Sequence, residues 1–369
     1  MTIVGIICEY NPFHNGHAKQ LRLIREHFGE DCRIVCLMSG SFVQRGEPAV
    51  FDKHARARAA VACGADVVLE LPVNYALSSA EGFASGGVRI LSELGADLLC
   101  FGCETDDSNL IMSTASALLL PQTDERIKAA LQTGISYAAA REQAVSEVFP
   151  QGAAVLRQPN DILAVEYCKA ILRQNSPLRI FSIRRCGDYH AADADPENPS
   201  ATAIRSLIAE GCDLSPYLPT AAREVFRECK AYSSAAGERA MLARLNGMTE
   251  GDFSKVPYGS EGLWRRFMHA CRSCNSTREI IDMTKTKRYA HSRIRRMLLC
   301  AVLGLTADDM NRPLEYVRIL SFSEQGRQVL RRFQSRSLPL ISAEERVRNS
   351  EFYETECRCE RMFSLFLCR

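Results

Sequence analysis

The fold of this chain is decided close to its start, where the sequence of residues 3–17 is IVGIICEYNPFHNGH. The first six of these residues, Ile3–Cys8, are apolar and predict a buried parallel strand. A loop containing Pro12 follows, and a His-x-Gly-His run at 14–17 opens a helix predicted over 16–28. A ligand at the carboxyl end of such a strand lies in the crevice of an α/β sheet.

The junction between this strand and this helix has the features of a phosphate site. A helix N-terminus presents free N–H groups and the positive end of its dipole to an anion. Gly16 has no Cβ, so a nucleotide can approach the backbone closely. His14 and His17 can donate hydrogen bonds to phosphate oxygens as charge builds at the α-phosphorus. A loop that merely contains two histidines is the alternative, and the strand–helix context favours the phosphate site.

The same strand–helix pattern continues along the first half of the chain. Further apolar runs predict strands at 33–38, 66–71, 97–102 and 178–183, with helical patterns near 52–63, 80–94 and repeatedly between 108 and 174. This alternation predicts a Rossmann-like α/β domain with a doubly wound parallel sheet. From 216 to 305 the pattern is almost wholly helical, and two candidate strands follow at 317–322 and 338–341. We therefore predict a nucleotide-binding catalytic domain over 1–215 and a mainly helical, basic domain over 216–369, with a boundary between 210 and 255.

Composition and charge limit the class of protein. Of 369 residues, 46% are hydrophobic and 24% charged, as in ordinary globular proteins. The 16 cysteines are scattered, many in apolar runs, which predicts reduced thiols in a cytoplasmic protein. No apolar run approaches the roughly 18 residues of a membrane span, so we expect no membrane partner. The net charge is +2, but residues 262–296 hold ten Lys or Arg and two acids, which suggests a polyanionic partner.

A second candidate phosphate motif follows the predicted fifth strand. Ser200 and Thr202 stand where another helix begins, and their hydroxyls can cap that helix or bind phosphate. Arg205 lies one turn further and can reach the same anion. An ordinary N-cap with a surface arginine explains this segment equally well on its own. Its pairing with the His-x-Gly-His motif favours a phosphate-binding role.

Four stretches together resemble one known family. They are EYNPFHNGH at 9–17, SGSFVQRGEP at 39–48, PNDIL at 159–163 and KRYAHSRIRR at 287–296. They resemble the bacterial tRNA(Met) cytidine acetate ligases, which are nucleotidyltransferase-like, and the resemblance covers essentially the whole chain. It implies N4-acetylation of the wobble cytidine of elongator tRNA(Met) from acetate and ATP, through an acetyl-adenylate and without acetyl-CoA. Mg²⁺ is expected for ATP chemistry in general, although no carboxylate cage and no dedicated metal site is visible.

The resemblance also implies site residues. Those implied to bind ATP are Ile7, Cys8, Glu9, Tyr10, Asn11, Pro12, Phe13, His14, Asn15, Gly16, His17, Ala18, Lys19, Gln20, Gly102, Asn160, Arg184, Arg185, Ser200 and Thr202. Those implied to be catalytic are His14, His17, Lys19 and Arg205. Some of these residues have a purely structural alternative. Gly102 can end a strand, Asn160 can cap a helix, and Arg184 and Arg185 can be a solvated surface pair. Asp161 departs from the family, which often has Asn there.

The basic segment is the predicted tRNA-binding surface. Arg288, His291, Ser292, Arg295 and Arg296 fall at spacings of three and four, which places them on one face of a helix predicted over 288–303. With Lys285 and Lys287 this face can hold an RNA backbone, with salt-dependent affinity. Tyr289 or Trp264 can stack on an unpaired base. A solvated helix face is the alternative.

Other functions remain open at this point. A small-molecule nucleotidyltransferase that adenylates a coenzyme precursor would share the first 210 residues, and a catalytically silent RNA-binding protein would share the basic segment. Gln44 and Arg45 lie in a polar loop that can face either acetate or the anticodon. Cys271 and Cys274 have metal-ligand spacing, with zinc as a minor alternative to ordinary thiols. The sequence specifies neither the acetate-binding residues, nor a general base, nor the oligomeric state.

Overall fold

The computed structural model describes residues 1–185, 195–196, 199–334 and 336–368. Its strands are β1 Ile3–Cys8, β2 Arg33–Ser39, β3 Phe42–Val43, β4 Glu47–Pro48, β5 Val67–Leu71, β6 Leu98–Cys103, β7 Arg179–Arg184, β8 Val317–Phe322 and β9 Leu340–Ile341. Seven of them form one sheet in the order β7-β6-β1-β2-β5-β8-β9, while β3 and β4 form a separate antiparallel hairpin. The five strands predicted in the first half are all present.

Helices connect and cover these strands. In the first half they are α1 Asn15–Phe28, α2 Lys53–Ala62, α3 Val73–Ala76, α4 Ala80–Leu94, α5 Ser108–Leu118, α6 Pro121–Gln132, α7 Tyr137–Val148, α8 Gly152–Val155, α9 Pro159–Arg173 and α10 Ala201–Glu210. In the second half they are α11 Thr220–Phe226, α12 Ser234–Asn246, α13 Glu250–Ser254, α14 Leu263–Ser273, α15 Thr277–Thr284, α16 His291–Leu303, α17 Ala307–Met310, α18 Gly326–Gln334 and α19 Glu351–Phe363. No helix of the described ranges is long and apolar enough to cross a membrane.

The order of the strands places a binding crevice beside β1. The chain moves outward from β1 through β2 to β5, then returns to add β6 and β7 on the other side of β1. Pairing from β7 through to β5 is parallel, whereas β8 pairs with β5 in the antiparallel sense. The predicted parallel α/β class is confirmed, with two strands at one edge, β8 and β9, that run opposite to the other five. The point where the strand order reverses, between β1 and β6, is where such sheets bind ligands.

The last two strands come from the second half of the chain but complete the sheet of the first half. β8 and β9 add beyond β5, and α18 packs its Val329 and Phe333 into the core on one face of that sheet. Residues 317–341 therefore lie with the α/β fold rather than with the C-terminal helices. The domain boundary near residue 215 stays a prediction. The sheet extends across it, because β8 and β9 come from beyond that residue.

Hydrophobic cores lie on both faces of the sheet and among the C-terminal helices. On one face α1, α2, α10 and α11 cover the strands, and on the other α4–α9 and α18 do so. Strands buried on both sides explain the nearly continuous apolar runs seen in the sequence. The third core joins α12–α16 and α19, and it includes Phe42 of the β3–β4 hairpin. Through Phe42 the hairpin is fixed to the helical part of the molecule.

Candidate nucleotide site

A cavity of about 290 Å³ lies at the carboxyl ends of β1 and β6. The predicted site residues that line it are Ile7, Cys8, Glu9, Tyr10, Asn11, His14, His17, Gln20, Gly102, Asn160, Arg185, Thr202 and Arg205. These residues come from β1 and its loop, α1, β6, α9, the end of β7 and α10. The fold therefore gathers both predicted phosphate motifs around one space.

The two histidines hold each other in place at the start of α1. His14 is the N-cap residue, and its Nδ1 accepts a hydrogen bond from the Gly16 amide at 3.1 Å. His17 Nδ1 accepts from the His14 amide at 3.3 Å, so the pair forms a reciprocal capping box. Their rings stack with centroids 3.7 Å apart. A Cβ on Gly16 would lie 3.1 Å from the His14 ring, so this glycine makes room for the imidazole.

This geometry sets the protonation of both histidines. Because each Nδ1 accepts a hydrogen bond, the proton of each neutral ring lies on Nε2. Burial lowers the pKa of His14 to about 3, and the positive charges of Arg185 and Arg205 act in the same direction. Burial also lowers the pKa of His17 well below its usual value, with His14 and Arg185 adding to the effect. At neutral pH the site therefore offers two neutral, oriented Nε2–H donors.

Arg205 joins the second motif to the first. Its guanidinium donates to the Asn11 carbonyl at 3.0 Å and to the Thr202 hydroxyl at 3.1 Å. Ser200 caps α10 by accepting from the Ala203 amide at 3.1 Å, and it does not line the cavity. Ser200 is thus an ordinary N-cap, whereas Thr202 and Arg205 face the same space as the histidines.

Arg185 lines the same cavity from the end of β7. It follows β7 and donates to the Asn160 side-chain oxygen at 3.3 Å, while Asn160 donates to Glu104 at 2.6 Å. A Cβ on Gly102 would lie 2.8 Å from Arg185 Cδ, so the missing side chain leaves room for this arginine. Asp161, the departure from the family pattern, is fully buried and accepts from the Glu104 amide at 2.7 Å. Its role is to hold the loop after β6.

The β3–β4 hairpin forms one wall of the cavity, and the sequence alone did not assign a role to its residues. Gln44 and Arg45 both line the cavity, and the Gln44 amide donates to Glu9 at 2.7 Å. Burial raises the pKa of the Glu9 carboxyl, while the Gln44 hydrogen bond and Arg205 oppose this shift. The fully buried Arg56 donates to the carbonyls of Glu9, Ser39 and Gly40 and so ties the ends of β1 and β2 together.

Several residues predicted to bind ATP lie outside the cavity. They are Pro12, Phe13, Asn15, Gly16, Ala18, Lys19, Arg184 and Ser200. Asn15 donates to the Pro196 and Pro216 carbonyls at 2.9 Å each, the first of which precedes α10 in the sequence while the second follows it. Arg184 points to solvent and pairs with Asp106 at 3.2 Å. Lys19 lies on α1 beyond the histidines, and its catalytic role stays a prediction.

Sequence reasoning missed the apolar wall of the cavity. Its members, from α4, β6 and α9, are Ala80, Phe83, Phe101, Pro159, Ile162, Leu163 and Tyr167. Such residues are indistinguishable in a sequence from ordinary core positions of the same helices and strand. Only the packing of α4 and α9 against β6 shows that this apolar surface faces a cavity.

The predicted RNA-binding residues do not share a single face. Lys285, Lys287, Arg288, His291 and Arg295 are exposed, and α16 begins only at His291. Arg296 is buried instead, with its guanidinium 5.2 Å from the Tyr258 ring and donating to the Gln44 carbonyl at 3.3 Å. The hairpin packs onto that side of α16, so Arg296 is removed from the predicted surface. The two predicted stacking rings, Tyr289 and Trp264, are each covered by an arginine guanidinium 4.6 Å from the ring centre.

No dedicated metal site is found in the described ranges. No group of three or more His, Cys, Asp or Glu side chains in these ranges could hold an ion. Cys271 is buried in the helical core, and the Cys274 sulfur contacts that of Met283 at 3.8 Å. Among the residues that the structure describes, Cys271 and Cys274 therefore have no further zinc ligands, and no carboxylate cluster could hold a magnesium ion.

Comparisons with known proteins agree with this fold. A family model described as HIGH Nucleotidyl Transferase matches residues 1–368. The chain is 36% identical to the tRNA(Met) cytidine acetate ligase of Clostridium tetani, with 93% of this chain and 90% of that protein covered. A protein of the same name from Acetivibrio thermocellus is 34% identical, with 92% and 88% covered. The chain belongs to the tRNA(Met) cytidine acetate ligase family.

Solved structures of this family share the whole fold. Thermotoga maritima TmcAL bound with alpha-thio ATP is 30% identical, with a TM-score of 0.89 over 99% of this chain and 95% of that chain. The apo form of the same protein is 31% identical, with a TM-score of 0.91 over 100% and 96%. Membership confirms the resemblance drawn from the four motifs and places the chain among ligases with a nucleotidyltransferase fold.

Proposed function

We propose that this enzyme activates acetate with ATP as acetyl-adenylate and transfers the acetyl group to N4 of the wobble cytidine in elongator tRNA(Met). The activation of acetate is supported by one observation: the neutral Nε2–H donors of His14 and His17 line a single cavity together with Arg185 and Arg205. This donor set suits a triphosphate whose α-phosphorus is under attack. The relatives' names and the ATP-analogue complex of the Thermotoga protein support the substrates.

Adenylation in this site is a displacement at phosphorus. A carboxylate oxygen of acetate attacks the α-phosphorus, the bond to the bridging oxygen breaks, and pyrophosphate leaves with the electron pair. Charge builds on the α-phosphoryl oxygens, where preorganised N–H donors stabilise the transition state without any covalent enzyme intermediate. His14 and His17 are the donors held for this task, and Arg205 adds a positive charge beside them. Magnesium would enter on the ATP phosphates, since the described residues include no cage for it.

Acyl transfer then uses the same cavity. The N4 amine of cytidine attacks the acetyl carbonyl, a C–N bond forms, AMP leaves and the amine loses one proton. Acetate alone is a poor acyl donor, and adenylation supplies the leaving group that acetyl-CoA would otherwise provide. The wobble base must leave its stack to reach the adenylate. A tRNA substrate also fits a cytoplasmic enzyme.

Nucleoside analysis tests this function directly. The enzyme is incubated with ATP, magnesium and elongator tRNA(Met), with isotopically labelled acetate or labelled acetyl-CoA in parallel. We expect labelled N4-acetylcytidine at the wobble position from acetate only, detected by mass spectrometry of the digested tRNA. Turnover of ATP with a phosphorylated coenzyme precursor, and no modified nucleoside, would instead support the small-molecule nucleotidyltransferase.

A further inference from the structure

A second cavity, of about 490 Å³, lies beside the first and has no part in the adenylation chemistry above. It is enclosed by the β3–β4 hairpin, α12, α15 and α16. Its apolar lining comes from Met241, Ile281, Leu298 and Leu299. Its charged lining consists of Arg278 and Arg295 together with Glu47 and Asp282. The volume falls within the range of about 300–1,000 Å³ typical of small-ligand sites.

The hairpin is a wall shared by the two cavities. Glu47 lines both of them, and its carboxylate pairs with Arg295 of α16 at 2.7 Å. Gly46 has a φ of +78°, and a Cβ there would lie 2.6 Å from the Arg295 carbonyl carbon. Hairpin and helix are therefore in direct backbone contact. A ligand that fills the second cavity lies next to whatever enters the first.

The lining suits a nucleotide with one apolar face and one anionic group. Arg278 is 92% exposed and faces Asp282 at 3.9 Å, an ion pair that a phosphate can replace at small cost. His291 also lines the cavity and begins α16, whose N-cap residue, Ala290, offers no side-chain hydrogen bond. The N-terminal end of α16, at His291, therefore shares this lining with Arg278 and Arg295, and a helix N-terminus favours an anion. A nucleobase can pack on the aliphatic floor while its phosphate meets these donors.

We propose that the second cavity binds an unpaired nucleotide of the RNA substrate, directly adjacent in sequence to the base that enters the first cavity. This inference rests on the proposed function and adds to it a site for the neighbouring nucleotide. A base taken out of its stack loses stacking energy, and contacts to the neighbour offset that loss. The hairpin brings the two sites together, because its Glu47 lines both cavities.

Two substitutions in this lining test the site without touching the first cavity. Ser234→Trp fills the space from the start of α12, and Arg278→Glu reverses a rim charge. For elongator tRNA(Met), we expect kcat/KM to fall about 30-fold for Ser234→Trp, from the loss of base contacts. For Arg278→Glu we expect a fall of about tenfold, from the loss of a phosphate contact. Acetate-dependent exchange of pyrophosphate into ATP, measured without tRNA, should stay within about twofold of the wild type.

A matched control removes the effect of charge alone. Arg126→Glu makes the same charge change and breaks a comparable exposed ion pair, Arg126–Glu147 at 3.0 Å, on α6. It should leave the tRNA kinetics unchanged. Unaltered tRNA kinetics in both test variants would overturn the proposal. Absence of acetate-dependent exchange in the wild-type enzyme would instead overturn the proposed function, so the two failures are distinguishable.

Crosslinking of tRNA to the wild-type enzyme tests the nucleotide site without relying on the folding of any variant. Elongator tRNA(Met) with 4-thiouridine at either position flanking the wobble cytidine is bound, irradiated and digested. We expect crosslinked peptides from residues 277–299 or 234–241. Crosslinks found only in other parts of the chain would contradict the assignment.

Discussion

The molecule contains two polar regions that differ in burial and in charge. At the start of α1, His14 is buried and His17 half-buried, and both rings are neutral and fixed by hydrogen bonds on Nδ1. Along the segment before α16, Lys285, Lys287 and Arg288 are exposed cations. A buried donor stabilises charge through a direct hydrogen bond, so it must be placed accurately. An exposed cation acts through an electrostatic field that salt screens, so its position can vary. Chemistry at phosphorus calls for the first arrangement, and holding a long polyanion calls for the second.

The largest effect should follow removal of one imidazole. His14→Ala deletes an Nε2–H donor and half of the capping box, so we expect acetate-dependent ATP–pyrophosphate exchange to fall about 10³-fold. Filter binding of tRNA should change little. His27→Ala is the control, since His27 lies on the same helix and packs against Phe181, 4.6 Å between ring centres, away from the cavity. An equal loss of exchange and of tRNA binding would show that the two regions are not separate.

A smaller effect is expected at Arg205. Arg205→Lys keeps the charge but loses the planar fork that reaches both Asn11 and Thr202, so exchange should fall about 30-fold. The chain offers a close control in Arg223→Lys, where the arginine donates to the hydroxyl three residues earlier at 3.1 Å but lies outside the cavity. If both variants behave alike, the loss belongs to helix stability and not to the site.

Neutralising the exposed cations should affect only the RNA half of the reaction. The variant with Lys285, Lys287 and Arg288 changed to Ala should bind tRNA about tenfold more weakly at 0.1 M salt, and its log-log salt slope should be shallower by about 2. The rate of exchange without tRNA should be unaltered. A triple change of Arg22, Arg126 and Lys128 to Ala, all exposed and paired elsewhere, serves as the control. A salt slope identical to that of the wild type would remove this segment from the RNA surface.

The smallest effect concerns stability against acid. The folded state keeps His14 neutral down to a pKa of about 3, whereas the unfolded chain protonates it near 6.5. The unfolded state therefore binds more protons as the pH falls, and stability is lost below pH 6.5. Between pH 7.5 and 5.5 we expect His14 to account for about 1.4 kcal/mol of that loss. Urea unfolding at the two pH values should show that the free energy of unfolding of the wild type falls by this much more than that of His14→Gln. An equal fall in both proteins would mean that the buried imidazole is protonated in the folded state.

The comparison of the two regions also explains what the sequence could predict. The β1 strand, the His-x-Gly-His turn and α1 are contiguous, so local pattern and capping chemistry were enough to predict them. Arg296 was misplaced because helical spacing cannot show that a hairpin 250 residues earlier covers one side of α16. The antiparallel pairing of β8 with β5 and the shared wall formed by the hairpin are equally non-local, and only the packed chain contains that information.

The most direct test of the central claim is the exchange of labelled pyrophosphate into ATP by the purified enzyme without tRNA, with and without acetate. The account predicts exchange that requires acetate, is abolished in His14→Ala and persists when Lys285, Lys287 and Arg288 are changed to Ala. Exchange that proceeds equally without acetate, or that appears only when tRNA is added, would contradict the formation of acetyl-adenylate in the cavity beside β1.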